Sequence, residues 1–204
     1  MGRVSDAKVR LLEAAMDLVW SRSYGAVTVD DICAAAGVKK GSFYYFFKSK
    51  DELVAAAMDA KWEEIRPAYD RIFSASRPAL ERLRDAFDYA YEKQKELRDQ
   101  HGCALGCPFS SVGTELIAAD KTLRDAVQRM IRAKQKYFES ALRDLQSEGL
   151  LQPGQDPAVL ARQAYSYFEG VLAQARISDD LDMLRGVYDG VLKLLGIRPP
   201  VSAS

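Results

Sequence analysis

The feature of this sequence that most restricts its fold is a helical spacing of apolar residues along nearly its whole length. Apolar side chains recur three and four positions apart in one segment after another, and the segments end at glycines or prolines. A segment with this period buries one face when it folds as an α-helix. The alternation typical of β-strands does not occur, nor do internal repeats. The sequence therefore predicts an all-α protein.

The predicted helices fall into two groups that differ in length. Three short helices are predicted within residues 1–48, and a connecting helix over 49–66 ends before Pro67. A bundle of longer helices is predicted over 67–198, followed by a frayed tail over 199–204. The longer predicted helices cover residues 78–98, 104–118, 123–147, 157–175 and 181–195.

The composition excludes several classes of protein. The chain is 48% hydrophobic and 28% charged, which allows a buried core. Lys plus Arg and Asp plus Glu number 29 each, so the net charge indicates no partner. No apolar run reaches about 18 residues and no secretory signal is found, which predicts a cytoplasmic protein without a membrane partner. Three cysteines, an odd number, predict reduced thiols and no disulfide framework.

A cationic and aromatic stretch follows the glycine that separates the second and third short helices. Residues 39–50 contain four lysines and no acidic residue. Two short helices joined by a tight turn at Gly37 outline a helix-turn-helix unit, whose second helix enters the major groove of DNA. An ordinary amphipathic helix with solvated lysines is the alternative that the periodicity leaves open. The rings predicted to face the core are Phe43, Phe46 and Phe47, packed on Val9, Leu12 and Ile32, and those predicted to point outward are Tyr44 and Tyr45.

The stretch TVDDICAAAGVKKGSFYYFFKSKDEL, from Thr28 to Leu53, resembles the DNA-binding region of the TetR family of bacterial transcriptional regulators. Three positions depart from the family pattern: Cys33 replaces alanine, Lys39 replaces serine or threonine, and Phe46 replaces tyrosine. None of these changes disturbs the helical pattern. The positions that fit the family pattern, in order, are Thr28, Ile32, Ala36, Gly37, Val38, Gly41, Tyr44, Phe46 or Phe47, Ser49, Lys50 and Leu53.

The resemblance implies an N-terminal three-helix DNA-binding domain joined to a larger C-terminal ligand-binding and dimerisation bundle. A homodimer would bind a palindromic operator in double-stranded DNA as a repressor released by a small organic ligand, and activation in place of repression is left open. Thr28 would cap its helix and touch a phosphate, while Tyr44 and Lys50 would bind phosphates. The residues implied to lie along the groove are Lys39, Lys40, Gly41, Ser42 and Tyr45.

In the TetR family the last two helices form the dimer interface and the bundle holds the ligand. In this sequence the apolar stripes of those two helices are wide enough to cover a core and leave a face for a partner, although they could instead fill one protomer's core. The implied dimerisation residues are Phe168, Val171, Leu172, Leu184, Tyr188, Val191 and Leu192. The implied ligand residues are Phe73, Phe87, Tyr91, Cys107, Phe109, Phe138, Tyr165 and Tyr167, and each of the rings among them could also be a core residue.

The segment HGCALGCPFSSVGTEL resembles a stretch found in a subset of the family, in some of whose members the cysteine senses electrophiles or oxidants. The matching positions are Gly106, Cys107, Glu115 and Leu116, while Ser110 and Ser111 replace a glycine and an asparagine. This leaves open a thiol-based regulator, with Cys107 as the sensor near a helix N-terminus, Cys103 as a resolving thiol and His101 as a base. Cys107 could instead pack as a small buried side chain, or the same three residues could bind zinc.

Catalysis is not expected from this sequence. It has no glycine-rich phosphate loop after a strand and no nucleophile elbow, and no cofactor or metal is predicted. A thiol-dependent enzyme using the cysteine segment and a helical interaction module without DNA affinity are the two rival functions.

Overall fold

The computed structural model describes residues 2–116 and 121–197. Every regular element in these two ranges is a helix, which confirms the all-α prediction. None of these helices is long and apolar enough to span a membrane. The predicted tail, residues 199–204, lies outside the described ranges. The elements are α1 Gly2–Ser21, α2 Val29–Ala36, α3 Lys40–Phe46, α4 Lys50–Ile72, α5 Ala79–His101, α6 Pro108–Thr114, α7 Lys121–Ser147, α8 Pro157–Ser178, a 3₁₀ helix Leu181–Gly186 and α9 Val187–Leu195.

The chain divides into two compact units. The N-terminal unit comprises Met1–Arg66 and Pro108–Ile131, and the C-terminal unit comprises Pro67–Cys107 and Arg132–Ser204. The N-terminal unit therefore contains α1, α2, α3 and α6 together with the first parts of α4 and α7.

Local signals in the sequence set the ends of α2. The Thr28 side chain accepts a hydrogen bond from the Asp31 amide, and the Asp31 carboxylate accepts one from the Thr28 amide, which completes a capping box. At the other end Gly37 adopts φ 62°, a left-handed conformation that glycine enters without steric cost. The predicted capping of α2 at both ends is therefore confirmed.

The sequence predicts a buried face of α1 formed by Val9, Leu12, Ala15, Met16 and Val19, and the structure confirms the burial of the last three. Leu11, Ala15 and Leu18 lie in the core, whereas Val9 is exposed and Leu12 is only half-buried. Val9 is therefore not the core residue that was predicted to pack against the α3 rings. Phe46 is likewise half-buried, whereas the two rings at 43 and 47 are fully inside.

Helix α4 does not end before Pro67, as the sequence predicted, but continues to Ile72. Proline removes the hydrogen bond that its amide would donate to the carbonyl four residues earlier. Because Glu63 and Pro67 are both exposed, water can hydrogen-bond that carbonyl. Burial of Tyr69 beyond the proline stabilises the continuation.

Two further helix predictions were wrong in the C-terminal part of the chain. The helix predicted over 104–118 is shorter, since α6 begins at Pro108 in the first helical position and ends at Thr114, before the undescribed residues 117–120. The helix predicted over 181–195 is split at Gly186 into the 3₁₀ helix and α9. Glycine is a weak helix former, so a break there costs little.

Candidate functional site

Helix α3 presents a polar and aromatic face to solvent. Lys39, Lys40 and Gly41 at its start are exposed, and Ser42 is half-buried. A Cβ added at Gly41 would meet nothing within 4 Å, so the helix start is open to a bulky partner. We call this surface of the helix the α3 face; its members are Lys39, Lys40, Gly41, Ser42, Tyr44 and Tyr45.

The rings of α3 divide between the core and this face. Phe43 and Phe47 are buried, whereas Tyr44 and Tyr45 are 58% and 75% exposed. The Phe43 ring meets the edge of the Tyr44 ring with centroids 4.9 Å apart. The buried phenylalanines thus hold the helix rigidly while the tyrosine hydroxyls point outward, which is the arrangement needed for contacts to phosphates or base edges.

Lys40 is already engaged within the protein. Its Nζ lies 2.8 Å from Oδ1 of Asp30 on α2, and both side chains are largely exposed. The hydrogen bond and charge of Asp30 raise the pKa of Lys40 above its ordinary value. An exposed ion pair of this kind contributes little to stability, so a phosphate could replace the carboxylate at small cost.

Lys50, implied to bind phosphate, is half-buried at the start of α4. Its Nζ donates hydrogen bonds to the carbonyls of Tyr24 and Val27, at 2.8 and 2.9 Å, and lies 4.0 Å from the Tyr24 ring centroid. Burial lowers the pKa of Lys50. The side chain therefore holds the loop between α1 and α2 in place.

Four of the implied ligand residues come together in the C-terminal unit. The Phe138 ring lies 5.4, 5.7 and 5.7 Å from the rings of Phe73, Phe87 and Tyr165, measured between centroids. The other three rings lie elsewhere. Phe109 is buried in the N-terminal unit, Tyr91 is half-buried beneath the Arg185 guanidinium, and Tyr167 is exposed.

A buried lysine lies beside this ring cluster. Lys134 on α7 is almost fully buried, and its Nζ lies 3.8 Å from Sγ of Cys107, which is also buried. The same Nζ lies 5.8 Å from the ring centroid of Tyr69. We call this group the polar centre; its members are Tyr69, Cys107, Lys134, Tyr165 and Glu169.

The charges of the polar centre influence one another. Burial by itself disfavours the ammonium of Lys134, but the negative forms of Cys107, Tyr69 and Glu169 outweigh it and raise the pKa of Lys134. Burial also raises the pKa of Tyr165, and the nearby Cys107 and Glu169 add to that effect. The balance of these effects favours the ammonium form of Lys134, and Tyr165 keeps its hydroxyl proton.

The turn that carries Cys107 is fixed by side-chain hydrogen bonds. The Gln94 amide donates to the Gly106 carbonyl at 3.0 Å and accepts from the Gly106 amide at 2.8 Å. Gly106 has φ 70°, and the Ala104 amide donates to Asp179 at 2.9 Å. These contacts hold Cys107 next to Lys134.

The cysteines of the chain differ in their surroundings. No disulfide joins Cys33, Cys103 and Cys107, all of which lie in the described ranges. Cys103 is exposed whereas Cys107 is buried. Among the residues that the structure describes, no three His, Cys, Asp or Glu side chains are placed to hold a metal ion, so zinc binding by His101 and the two nearby thiols has no ligand set there.

Comparisons with known proteins agree with this geometry. Residues 11–57 match the family model described as bacterial regulatory proteins, tetR family. Residues 79–191 match the model described as tetracyclin repressor-like, C-terminal domain. The chain belongs to the TetR family.

Two similar regulators and one solved structure extend the match over most of the chain. The transcriptional regulator AcuR of Cereibacter sphaeroides is 29% identical over 82% of this chain and 75% of its own. An HTH-type transcriptional regulator in the lacX 3' region of Lactococcus lactis subsp. lactis is 26% identical over 90% of each chain. The crystal structure of regulatory protein TetR from Rhodobacter sphaeroides has a TM-score of 0.81 and 28% identity, covering 92% of this chain and 98% of its own. This chain is therefore a helix-turn-helix transcriptional regulator.

The implied dimerisation residues of this TetR-family chain are mostly inside its own C-terminal unit. Val171 and Tyr188 keep some exposed surface, and the Arg84 guanidinium lies 4.7 Å from the Tyr188 ring centroid. Exposed apolar side chains occur at other positions of the last helices, among them Val159, Tyr167 and Leu194. The implied residues buried within the protomer are Phe168, Leu172, Leu184, Val191 and Leu192.

Sequence reasoning missed Lys134, Tyr69, Glu169 and Gln94 as parts of the site. One of them carried a signal. Along α7 the buried positions Met130 and Phe138 lie four residues either side of Lys134, so the lysine stands in the middle of an apolar stripe. A lysine at such a position is rarely buried without a partner.

Proposed function

We propose that this TetR-family regulator is a repressor that binds a palindromic operator as a homodimer and is released by a small organic effector. The observation that carries the proposal is the α3 face, where exposed cations and tyrosine hydroxyls stand on a helix anchored by buried rings. Phosphate contacts from this face would supply most of the affinity. Ser42 and Tyr45 are the groups we propose to reach base edges, and Lys39 is the cation we propose to contact a phosphate.

Homodimerisation is supported by the exposed apolar side chains of α8 and α9. Val159 and Leu194 line a shallow depression with Arg162, Gln163 and Ser166. An apolar centre with a polar rim is typical of protein interfaces. Two copies of α8 and α9 would form a four-helix interface and place two α3 faces on one duplex.

The effector site we propose is the ring cluster with the polar centre. Apolar walls with a few convergent polar groups are typical of pockets for organic ligands. Such a ligand can change operator affinity only by its differential affinity for two conformations of the protein. The protein would act on DNA in the cytoplasm, and we infer no enzymatic role.

The experiment selects DNA duplexes from a random library with the full-length protein. We expect a palindromic consensus, two protomers per duplex and an affinity that falls steeply with salt. Tyr45→Ala should weaken specific binding at least tenfold without changing the free energy of unfolding, and Tyr91→Ala in the C-terminal unit serves as the matched control. Selection of no consensus would overturn the proposal.

A second candidate function is thiol-based regulation through Cys107. The observation that favours it is the ammonium of Lys134 at 3.8 Å, because an adjacent cation favours the reactive thiolate. N-ethylmaleimide should then release the wild-type protein from the selected duplex, and Cys107→Ser should not respond. If N-ethylmaleimide releases both the wild type and Cys107→Ser, the effect comes from another cysteine. If it releases neither protein, thiol-based regulation is excluded.

A further inference from the structure

The loop between α1 and α2, residues 22–28, is held from two sides within the N-terminal unit. On one side Lys50 donates to the carbonyls of Tyr24 and Val27. On the other side the carboxylate of Glu115 accepts the backbone amides of Tyr24 and Gly25, at 3.3 and 2.8 Å. The loop is thus fixed by two opposite charges, one on α4 and one just after α6.

The two charges also interact with each other. Burial lowers the pKa of Lys50, and the carboxylates of Asp51 and Glu115 oppose that effect. The Tyr24 hydroxyl donates to Asp51, so the ring that stacks on Lys50 is itself held. Charge-assisted hydrogen bonds of this kind are about twice as strong as neutral ones.

Glu115 is attached rigidly to α6. Its own amide donates to the Val112 carbonyl at 3.0 Å, which extends the last turn of the helix. Phe109 and Val112 are completely buried. A Cβ added at Gly113 would lie 3.1 Å from Cγ1 of Val127 on α7, so the helix has almost no free space on that side. A displacement of α6 would therefore carry Glu115 with it.

We propose that Glu115 is a positioning residue that couples α6 to the DNA-binding helices. The clamped loop ends at Thr28, the N-cap of α2, and α3 follows after Gly37. At its other end α6 begins directly after Cys107, a member of the polar centre. A change in the polar centre that shifts Pro108 would alter the loop through Glu115, and so alter how α3 is presented. This inference rests on the proposed function.

The test is a double-mutant cycle that needs no identified effector. Gly113→Ala places a methyl group 3.1 Å from Cγ1 of Val127, so either α6 or the Val127 side chain must shift by a few tenths of an ångström. Glu115→Gln keeps the side-chain shape but removes the charge and one of the two acceptor oxygens. The dissociation constant is measured for the duplex selected by the wild-type protein. We expect Gly113→Ala to weaken binding about tenfold in the wild-type background and less than twofold in the Glu115→Gln background.

The control replaces another glutamate of the N-terminal unit. Glu13 is exposed on α1, and in the Glu13→Gln background Gly113→Ala should still weaken binding about tenfold. The coupling is overturned if Gly113→Ala raises the dissociation constant by the same factor in the wild-type and Glu115→Gln backgrounds. It is also overturned if Gly113→Ala has no effect in either background.

Hydrogen exchange of the Tyr24 and Gly25 amides, measured by NMR on the protein without DNA, tests the clamp independently. Glu115→Gln should accelerate both amides at least threefold, and unchanged rates overturn the clamp. This measurement needs neither the Gly113 variant nor DNA. If the protein selects no duplex, the proposed repressor function is refuted. The exchange rates still decide whether Glu115 clamps the loop.

Discussion

Lys134 and Cys107 form a buried pair in the C-terminal unit, with the ammonium Nζ 3.8 Å from the sulfur. The lysine comes from α7, and the cysteine comes from the turn that Gln94 holds through Gly106. The pair places a cation beside the thiol of the polar centre. A buried charge so close to a thiol has a direct effect on the reactivity of that thiol.

The first prediction concerns that reactivity. Lys134→Met should slow alkylation of Cys107 by iodoacetamide about tenfold or more at neutral pH, because the thiolate loses its cation. Mass spectrometry of the Cys107 peptide gives the rate, and the exposed Cys103 serves as an internal reference. Lys136→Met, on the exposed side of the same helix, should have no effect. Equal rates in wild type and Lys134→Met would show that the lysine does not activate the thiol.

A second prediction concerns the capping box of α2. Thr28→Ala removes the side-chain acceptor for the Asp31 amide and should lower the free energy of unfolding by about 1 kcal/mol, measured with urea. Thr28→Ser keeps the acceptor and should retain most of the stability. A loss as large in the serine variant would mean that the methyl group, not the hydroxyl, matters.

The same cap predicts a pH dependence. Hydrogen bonds from the Thr28 side chain and amide lower the pKa of Asp31 in the folded protein. A carboxylate with a depressed folded-state pKa stabilises the fold above its unfolded pKa, and this contribution is lost as the pH falls. The stability difference between wild type and Thr28→Ala should therefore shrink below about pH 4. A constant difference down to pH 2 would contradict the assignment.

Such caps could be predicted from the sequence because their partners are close together in the chain. Thr28 with Asp31, and Asp156 before Pro157, act within one helical turn, and the structure has both. The positions that sequence reasoning missed depend on distant packing. The continuation of α4 past Pro67 depends on the burial of Tyr69, and the role of Lys134 depends on which turn faces it.

The candidate DNA site could be predicted more fully than the candidate effector site for the same reason. The α3 face consists of neighbouring residues on one short helix, so their exposure follows from local periodicity. The polar centre combines α4, α7, α8 and the Cys107 turn. No local pattern could bring Tyr69, Lys134 and Glu169 to one place. Even on α1 the predicted face included Val9 and Leu12, where the structure buries Leu11 and Leu18.

A third prediction separates the roles of two lysines. Lys39→Met on the α3 face should reduce the slope of log affinity against log salt by about 1, as expected for one lost phosphate contact. Lys50→Met should leave that slope nearly unchanged and lower the free energy of unfolding by about 1–2 kcal/mol, because two carbonyls lose a charged donor. A reduced slope in Lys50→Met without loss of stability would instead assign Lys50 to phosphate.

A fourth prediction concerns the ion pair between Lys40 and Asp30. Asp30→Asn frees the ammonium of Lys40 and removes a negative charge beside the DNA, so binding to the selected duplex should tighten about threefold or more at low salt. Asp59→Asn removes an equal charge from α4 and is the matched control, with no expected change. Weaker binding in Asp30→Asn would mean that Asp30 itself contacts a base or positions Lys40.

The last prediction concerns the homodimer. Val159 on α8 and Leu194 on α9 are each 37% exposed and line the same shallow depression. A lysine buried at an interface without a partner costs several kcal/mol, so Val159→Lys and Leu194→Lys should dissociate the dimer in sedimentation equilibrium and weaken operator binding. Leu150, exposed after α7, gives the control Leu150→Lys, which should remain dimeric. If both α8 and α9 variants stay dimeric, protomers associate through another surface, and the spacing of the two α3 faces on DNA must be derived from that surface.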